Sequence, residues 1–308
     1  MSRRRPEAPG VSGFLVVDKP RGWTSHDVVD AARRWLGTRR VGHLGTLDPL
    51  ATGVLPLAVR EATKLAPFLA TGAKLYTGEI ELGAETDTLD AEGRVLRRHA
   101  GELPSEPALR AALAGFVGEI LQVPPMYSAV KRGGVPLHRL ARAGHEVARA
   151  PKKVRIDRLT LLAWSPPRAR IEVLCAPGTY VRSLAADVGA VLGCGAFLAS
   201  LRRTGSGPFR IQDAAPVEVL EAEAREGRLE ARLIPPVNVL ELPVVRLEAP
   251  DERRVRNGNE VTLAGLALPP EGRVAAVGVR GELVAILEIR PGRRLQPLRV
   301  LGSLAEPG

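Results

Sequence analysis

The chain has 308 residues, 45% of them hydrophobic and 25% charged, which is enough for a sizeable core and, at usual domain sizes, about two domains. Its 44 Lys and Arg against 34 Asp and Glu leave +10 at pH 7, a balance shared by polyanion-binding proteins and by proteins with a merely solvated basic surface. The longest apolar runs fall far short of the ~20 residues that span a bilayer. The only cysteines, Cys175 and Cys194, fit neither a disulfide framework nor a zinc cluster, so the expected compartment is a reducing cytoplasm.

Residues 1–12 read as a disordered basic tail, and the apolar run Phe14-Leu15-Val16-Val17 after it is too short for a signal peptide. That run, continued to Lys19, reads as a buried strand ending at the Pro20 turn. Thr24 with Asp27 three residues on looks like a capping box, and Val28, Ala32, Trp35 and Leu36 keep helical spacing until Gly37. Next comes Gly42-His43-Leu44-Gly45-Thr46-Leu47-Asp48-Pro49-Leu50-Ala51-Thr52-Gly53, which sets three glycines, one proline, one histidine and one carboxylate in twelve residues. It reads as a shaped loop that displays its acid. Pro49 pushes Asp48 out of the right-handed helical region, and the glycines permit turns and close backbone approach. Taken alone, Asp48 reads as a plain cap for the apolar run 54–59.

Residues 61–70 read as a short helix ending near Gly72, and 74–83 as a half-buried strand in which Thr77, Glu79 and Glu81 alternate with Tyr76, Ile80 and Leu82. The segment 85–93 is acidic and turn-rich without the spacing of a calcium loop. Ser105 and Pro107 open a helix whose stripe is Leu109, Ala112, Leu113 and Phe116. Between Lys131 and Arg158 lie nine basic residues against Glu146 and Asp157, read as a phosphate-gripping insertion or a solvated face. Arg170 to Val173 alternate as a strand, Pro177-Gly178 turn the chain, and Gly178 to Ser183 read as a second extended run on which Tyr180 and Arg182 share a side. A helix follows to Gly193. After a helix at 217–225 and the Pro235-Pro236 break, the chain from Leu240 reads as short strands and turns, a small β-barrel. This last part holds ten Arg and nine acids, so the first 239 residues carry nine of the ten net charges.

Several of these strings together resemble the TruB family, the bacterial tRNA pseudouridine-55 synthases. The loop 42–53 is similar to that family's G-H-x-G-x-L-D-P-x-A-[ST]-G catalytic motif, whose aspartate is the nucleophile and corresponds to Asp48. Lys19-Pro20 with Thr24-Ser25 resembles its first motif; here Lys19 reaches phosphate, supports the active-site loop or is an ordinary surface lysine. Lys74-Leu75-Tyr76 resembles the motif whose tyrosine stacks on the target base. Gly178-Thr179-Tyr180-Val181-Arg182-Ser183-Leu184 resembles the motif whose arginine pairs with the catalytic aspartate, and Leu201 stands where that family lines its uridine pocket. His43 matches the histidine that contacts the RNA around the flipped base. The segment 123–131 is also similar and is read as an irregular stretch near the RNA. The resemblance implies an α+β fold: a mixed, mainly antiparallel sheet with flanking helices over 13–238, with the basic insertion near 131–158. It further implies a PUA-type RNA-binding barrel over 239–308. The partner it implies is the T-arm of tRNA, bound by a monomer with no protein partner, no cofactor and no metal.

The chemistry suits these groups. Uridine isomerisation breaks the N1–C1′ bond and rejoins the base through C5, which needs neither energy source nor redox cofactor. Burial could raise the pKa of an aspartate by as much as ~3–5 units, so Arg182 would keep Asp48 anionic and aimed. Asp48 either attacks the base or engages C1′ as the base departs, and the proton acceptor is Tyr76 or Asp48. Flipping the base costs a few kcal/mol and one aromatic returns about 1–3, so a group such as His43 filling the vacated space would help. The alternatives are a non-catalytic tRNA-binding or tRNA-folding factor, and a synthase directed to other RNA by guide partners. A hydrolase is more distant, because no second carboxylate sits in a comparable motif.

Overall fold

A computed structural model describes residues 10–128, 131–142, 147–262 and 269–302. The expected basic tail therefore lies almost wholly outside the described residues. One ten-stranded sheet runs from Ala215–Pro216 through Gly13–Lys19, Thr52–Val59, Ala196–Ser206, Lys74–Leu82, Arg168–Cys175 and Lys152–Ser165 to Gly118–Gln122. Val41–His43 and Phe209–Arg210 pair alongside this path. Neighbours are antiparallel except at Ala215–Pro216 on Gly13–Lys19 and at Ala196–Ser206 on Thr52–Val59. This is the mixed, mainly antiparallel sheet expected. The second parallel contact sets Arg202 opposite Thr52 and Arg203 opposite Gly53, so a strand late in the chain reaches the end of the Asp48 loop.

The alternation over Lys74–Leu82 holds, with Tyr76, Ile80 and Leu82 buried and Thr77, Glu79 and Glu81 half-buried. One face of the sheet packs Leu15, Val17, Leu55, Leu57, Ile80, Ile171 and Val173 against Val28 and Ala32 of the helix Ser25–Trp35 and Leu184 and Val188 of the helix Val181–Val191. The capping box at Ser25–Trp35 is present: Thr24 Oγ1 accepts from the Asp27 amide at 3.1 Å, and Asp27 Oδ2 accepts from the Thr24 amide at 2.7 Å. The other faces of the same first strands carry Phe14, Val16, Val54 and Ala58, which pack with Leu240, Ala275, Leu283, Ile286 and Leu301. These last residues belong to or flank a second, five-stranded sheet in the order Val244–Arg246, Gly272–Val277, Leu283–Arg290, Arg294–Val300, Val261–Thr262, consistent with a PUA-like C-terminal fold.

Local differences from the sequence reading have physical reasons. The stretch read as a helix over 61–70 is a 3₁₀ segment, Arg60–Leu65, followed by the single α-turn Ala66–Leu69. Pro67 there lacks the amide a continuous helix would need. The second extended run at 178–183 is instead the start of the helix Val181–Val191, with Tyr180 at its N-cap. Val181, Leu184, Ala185 and Val188 form its buried stripe, and their helical spacing outweighs the local β-propensity. The same-side placement of Tyr180 and Arg182 on a strand therefore does not hold. The basic run is not one unit: Lys152 onward forms a strand pairing with Gly118–Gln122, and only the hairpin Lys131–Arg132/Val135–Pro136 and the helix Leu137–Arg142 precede it among the described residues. The helix Ala249–Arg256 escaped the pattern because Val255 is its one buried side chain. The glycine-rich loop is narrower than its motif, since Val41–His43 and Thr52–Val59 extend into both ends.

Gly53 shows why the motif needs a residue without a Cβ. Its φ is +98°, and a Cβ would lie 2.2 Å from the carbonyl oxygen of Arg203. Gly53→Ala is expected to destabilise the fold by at least ~2 kcal/mol, because left-handed strain adds to a clash with backbone. Chemical denaturation reads this directly.

Candidate active site

Asp48 sits between Leu47, buried in the main core, and the Pro49-Leu50 turn. Several separate anchors fix this loop. Ser25, the first residue of its helix, accepts at Oγ from the Leu47 amide at 2.8 Å and donates to the Leu47 carbonyl at 3.0 Å. Lys19 Nζ donates to the carbonyls of Pro20, Trp23 and Pro49 at 2.9, 2.6 and 3.4 Å. The buried Arg203 donates to the carbonyls of Gly45, Thr46 and Val54 at 3.0, 3.2 and 2.8 Å. The Leu44 amide donates to the Pro56 carbonyl at 2.9 Å. The carboxyl group therefore rests on a backbone that cannot shift cheaply.

Arg182 approaches from the opposite side, on the first turn of Val181–Val191. Its position is set from the edge of the sheet: Gln122 accepts from the Tyr180 amide at 2.7 Å and donates to the Tyr180 carbonyl at 3.0 Å. Ser183 Oγ donates to the Val123 carbonyl at 3.0 Å. The guanidinium then makes an ion pair from Nε to Asp48 Oδ2 at 2.9 Å and from Nη1 to Asp90 Oδ2 at 3.4 Å. Its remaining donors go to the carbonyls of Thr88 and Tyr127 at 3.0 and 2.9 Å. The side chains of Arg182 and Asp90 are each 5% exposed, whereas that of Asp48 is 37% exposed. Thus two members of the triad are sealed and the third opens to a ligand.

That opening is a cavity of about 360 Å³ lined by His43, Tyr76, Tyr180, Arg182 and Leu201 with Asp48 itself. Five of the residues singled out in the sequence therefore join Asp48 around one space. Tyr76 is buried at its wall, and burial pushes its phenol above the ordinary range, so it is neutral and presents a ring. Burial raises Tyr180 in the same way. Burial lowers His43, helped by the charges of Arg203 and His26, and among the described residues its buried Nδ1 has no hydrogen-bond partner. His43 also lines an adjoining cavity of about 330 Å³ with His26, Asp90, Glu92 and Asp48. Lys19 does not reach out to phosphate. It is fully buried and supports the loop, and its burial lowers the ammonium to about 8.

The sequence reading passed over Asp90, Ser25, Arg203 and Gln122. Asp90 lies in the acidic turn dismissed as a calcium loop, where its Oδ1 accepts from Thr88 Oγ1 at 2.6 Å and from the Glu92 amide at 3.1 Å. Ser25 stood inside a quoted string and Arg203 two residues after Leu201, and only the parallel strand contact shows what Arg203 touches. Among the described residues no group of three His, Cys, Asp or Glu is placed to hold a metal ion.

The solved structure of a Cbf5–Nop10–Gar1 complex matches this fold with a TM-score of 0.70 at 26% identity, covering 95% of this chain and 85% of that one. An H/ACA RNP bound to a substrate RNA containing 2′-deoxyuridine matches at 0.72 and 23% identity, covering 98% and 92%, a likeness of fold. Residues 33–181 match the family model for the TruB family pseudouridylate synthase N-terminal domain, and 182–240 match that for the tRNA pseudouridylate synthase B C-terminal domain. Fold and site thus define an enzyme of the pseudouridine synthase class. Curated relatives named tRNA pseudouridine synthase B include that of Xanthomonas campestris pv. campestris (strain 8004), 42% identical with 95% of this chain and 94% of the relative covered. That of Ralstonia nicotianae is 45% identical with 90% and 89% covered. That of Stutzerimonas stutzeri is 43% identical with 95% and 96% covered. The chain belongs to the TruB family.

Burial pushes the Asp48 carboxyl above its ordinary 3.8, with Asp90 adding to the rise, while Arg182 pulls it back down. A reaction that needs the anion is therefore lost as pH falls through a value above 3.8, and is complete above it. The acidic limb of the single-turnover rate is expected above the ordinary aspartate range; a limb at or below it would contradict the burial of this group.

Proposed function

We propose that this chain isomerises uridine to pseudouridine at position 55 in the T-loop of tRNA, acting as a monomer without a protein partner in the cytoplasm, with Asp48 as the nucleophile on a flipped-out uridine. The observation that carries the reading is the 2.9 Å ion pair between a sealed Arg182 and a loop aspartate open to the cavity. A guanidinium with one edge on Asp48 leaves the second carboxylate oxygen for the substrate and keeps the group anionic where burial would neutralise it.

The other lining residues support a bound nucleotide. Tyr76 offers a ring face to the base, and Leu201 an apolar wall. His43 is uncharged when burial lowers it, so it can fill the space the base vacates in the RNA without a desolvation penalty for charge. Tyr180, at the helix N-cap, closes the side next to Arg182. A raised phenol keeps Tyr76 protonated, so it offers no phenolate to accept a proton, which favours Asp48 for that step. The curated relatives' names supply tRNA as the substrate, and the family's resemblance supplies position 55. The net charge of +10 suits the polyanion, and both cysteines are free and buried, as a reducing compartment permits.

The test uses unmodified tRNA carrying tritium at uridine C5, since forming the new C5–C1′ bond expels that label. The purified chain alone is expected to release it, with the label at position 55. Asp48→Asn is expected to bind the tRNA within ~3-fold of wild type yet to lose at least ~10⁴-fold in release, as removal of a nucleophile does. Release by Asp48→Asn at the wild-type rate would remove Asp48 from the chemistry. Binding without release by either protein would favour an RNA-folding factor.

A further inference from the structure

Lys74 and Arg203 stand out as buried cations. They are 5% and 1% exposed, yet both line the Asp48 cavity. Their partners are neutral oxygens: Lys74 Nζ donates to Ser206 Oγ at 2.9 Å, and Arg203 donates to the backbone carbonyls that hold the Asp48 loop and hydrogen-bonds the Tyr76 hydroxyl. Among the described residues neither forms an ion pair with a carboxylate, in contrast to Arg182, which has two. The two charges are also close together. A point one bond out from the Gly45 Cα lies 3.6 Å from Arg203 Nη1 and 3.9 Å from Lys74 Nζ. Burying one cation without a counter-charge is costly, and two side by side more so, unless an anion arrives in the space they border.

We propose that Lys74, backed by Arg203, forms a cationic floor to the cavity that holds the negative charge the pyrimidine takes up while it is detached from its sugar bond. The proposal rests on the reading of this cavity as the uridine site. If Asp48 engages C1′, the N1–C1′ pair leaves with the base and its charge spreads over N1, O2 and O4. If Asp48 adds to C6, the C5–C6 π pair moves towards C5 and O4 as an enolate. In either case C5 then supplies the pair that closes the new bond to C1′, and the bond to Asp48 breaks. In the first case it breaks at C1′ as C5 displaces the carboxylate; in the second it breaks at C6 as the C5–H pair restores the C5–C6 double bond. The C5 proton is lost, N1 takes one up, and Asp48 returns as its carboxylate. Atoms and electrons balance without oxidant or reductant. A fixed positive group beside those carbonyl oxygens acts on charge that is absent from neutral bound uridine, so it lowers the barrier more than it tightens binding.

Burial and the neighbouring Arg203 lower the Lys74 ammonium to about 8, so the floor discharges as pH rises through that value. The groups facing it are Arg203 and Ser206 on Ala196–Ser206, Tyr76 on its own strand, the Gly45 loop, and Cys175 opposite it in register. Burial pushes the Cys175 thiol up to about 11, so it stays neutral here. Lys19 also titrates near 8, but it lies under the loop against Pro20, Trp23 and Pro49.

The experiment is tritium release from C5-labelled tRNA in single turnover at saturating enzyme, from pH 6 to 10, with Lys74→Met, Lys74→Arg and Asp48→Asn. Lys74→Met is expected to slow release ~10²–10³-fold, as loss of one charge-stabilising group does, and to leave the tRNA Kd within ~3-fold. It also removes the alkaline limb near 8. Lys74→Arg keeps the charge and likewise loses that limb, because a guanidinium does not titrate there. Should Lys74→Met fail to fold, as thermal unfolding would show, the Lys74→Arg profile decides. An unchanged limb in either variant, a near-wild-type rate in Lys74→Met, or a rate loss matched by an equal loss of tRNA affinity overturns the proposal. If Asp48→Asn is silent while Lys74→Met is unimpaired, only the cationic floor fails; if Asp48→Asn releases label, the uridine-site reading fails with it.

Discussion

A single buried guanidinium, that of Arg182, has to satisfy two carboxylates that arrive from different parts of the chain. Asp48 comes from a loop anchored to the first helix and Asp90 from a turn beyond the Lys74–Leu82 strand, while Arg182 itself begins a helix that follows Arg168–Cys175. Removing Arg182 leaves both carboxylates without their shared counter-charge, Asp90 in full burial, which costs about 3–5 kcal/mol in such clusters. The triad therefore constrains where the loop, the turn and the helix can lie relative to the sheet. It also divides the labour: Asp90 fixes the arginine from within, and Asp48 keeps an edge open to the cavity.

The surrounding cations differ by what they touch. Lys19 and Arg203 grip the backbone on either side of Asp48 through carbonyl oxygens, so the loop is held by charge-assisted hydrogen bonds and not by its own secondary structure. This suits a catalytic loop that must be rigid without being a helix or a strand. The strand Ala196–Ser206 links the parts: Leu201 faces the cavity, Arg203 holds the loop, and Ser206 receives Lys74. The second core, shared with the C-terminal sheet, stiffens the far face of the strands that carry this framework.

The candidate site was largely legible through the resemblance of its motifs to those of the TruB family, since Asp48 taken alone reads as a plain cap and Arg182 as one residue of an extended run. The helix Ser25–Trp35 was legible from its cap and spacing, and Val217–Arg225 has the bounds the sequence suggests. What escaped depended on contacts distant in sequence. Asp90 looked like one acid among several until the turn folded against Arg182, 92 positions away in number and 3.4 Å in space. Tyr180 and Arg182 were assigned to a strand because β-propensity is local, whereas the buried stripe that makes them helical is tertiary. Lys19 was expected to have a choice between phosphate and support, and burial decided it.

Titration of the Asp48 carboxyl itself, by carbon-13 NMR of carboxyl-labelled aspartate with the signal assigned through Asp48→Asn, tests most directly whether Arg182 is the counter-charge that keeps it anionic. Wild type is predicted to titrate above 3.8, and Arg182→Met higher still, because burial then acts unopposed. A midpoint that does not move when Arg182 is removed would contradict the account.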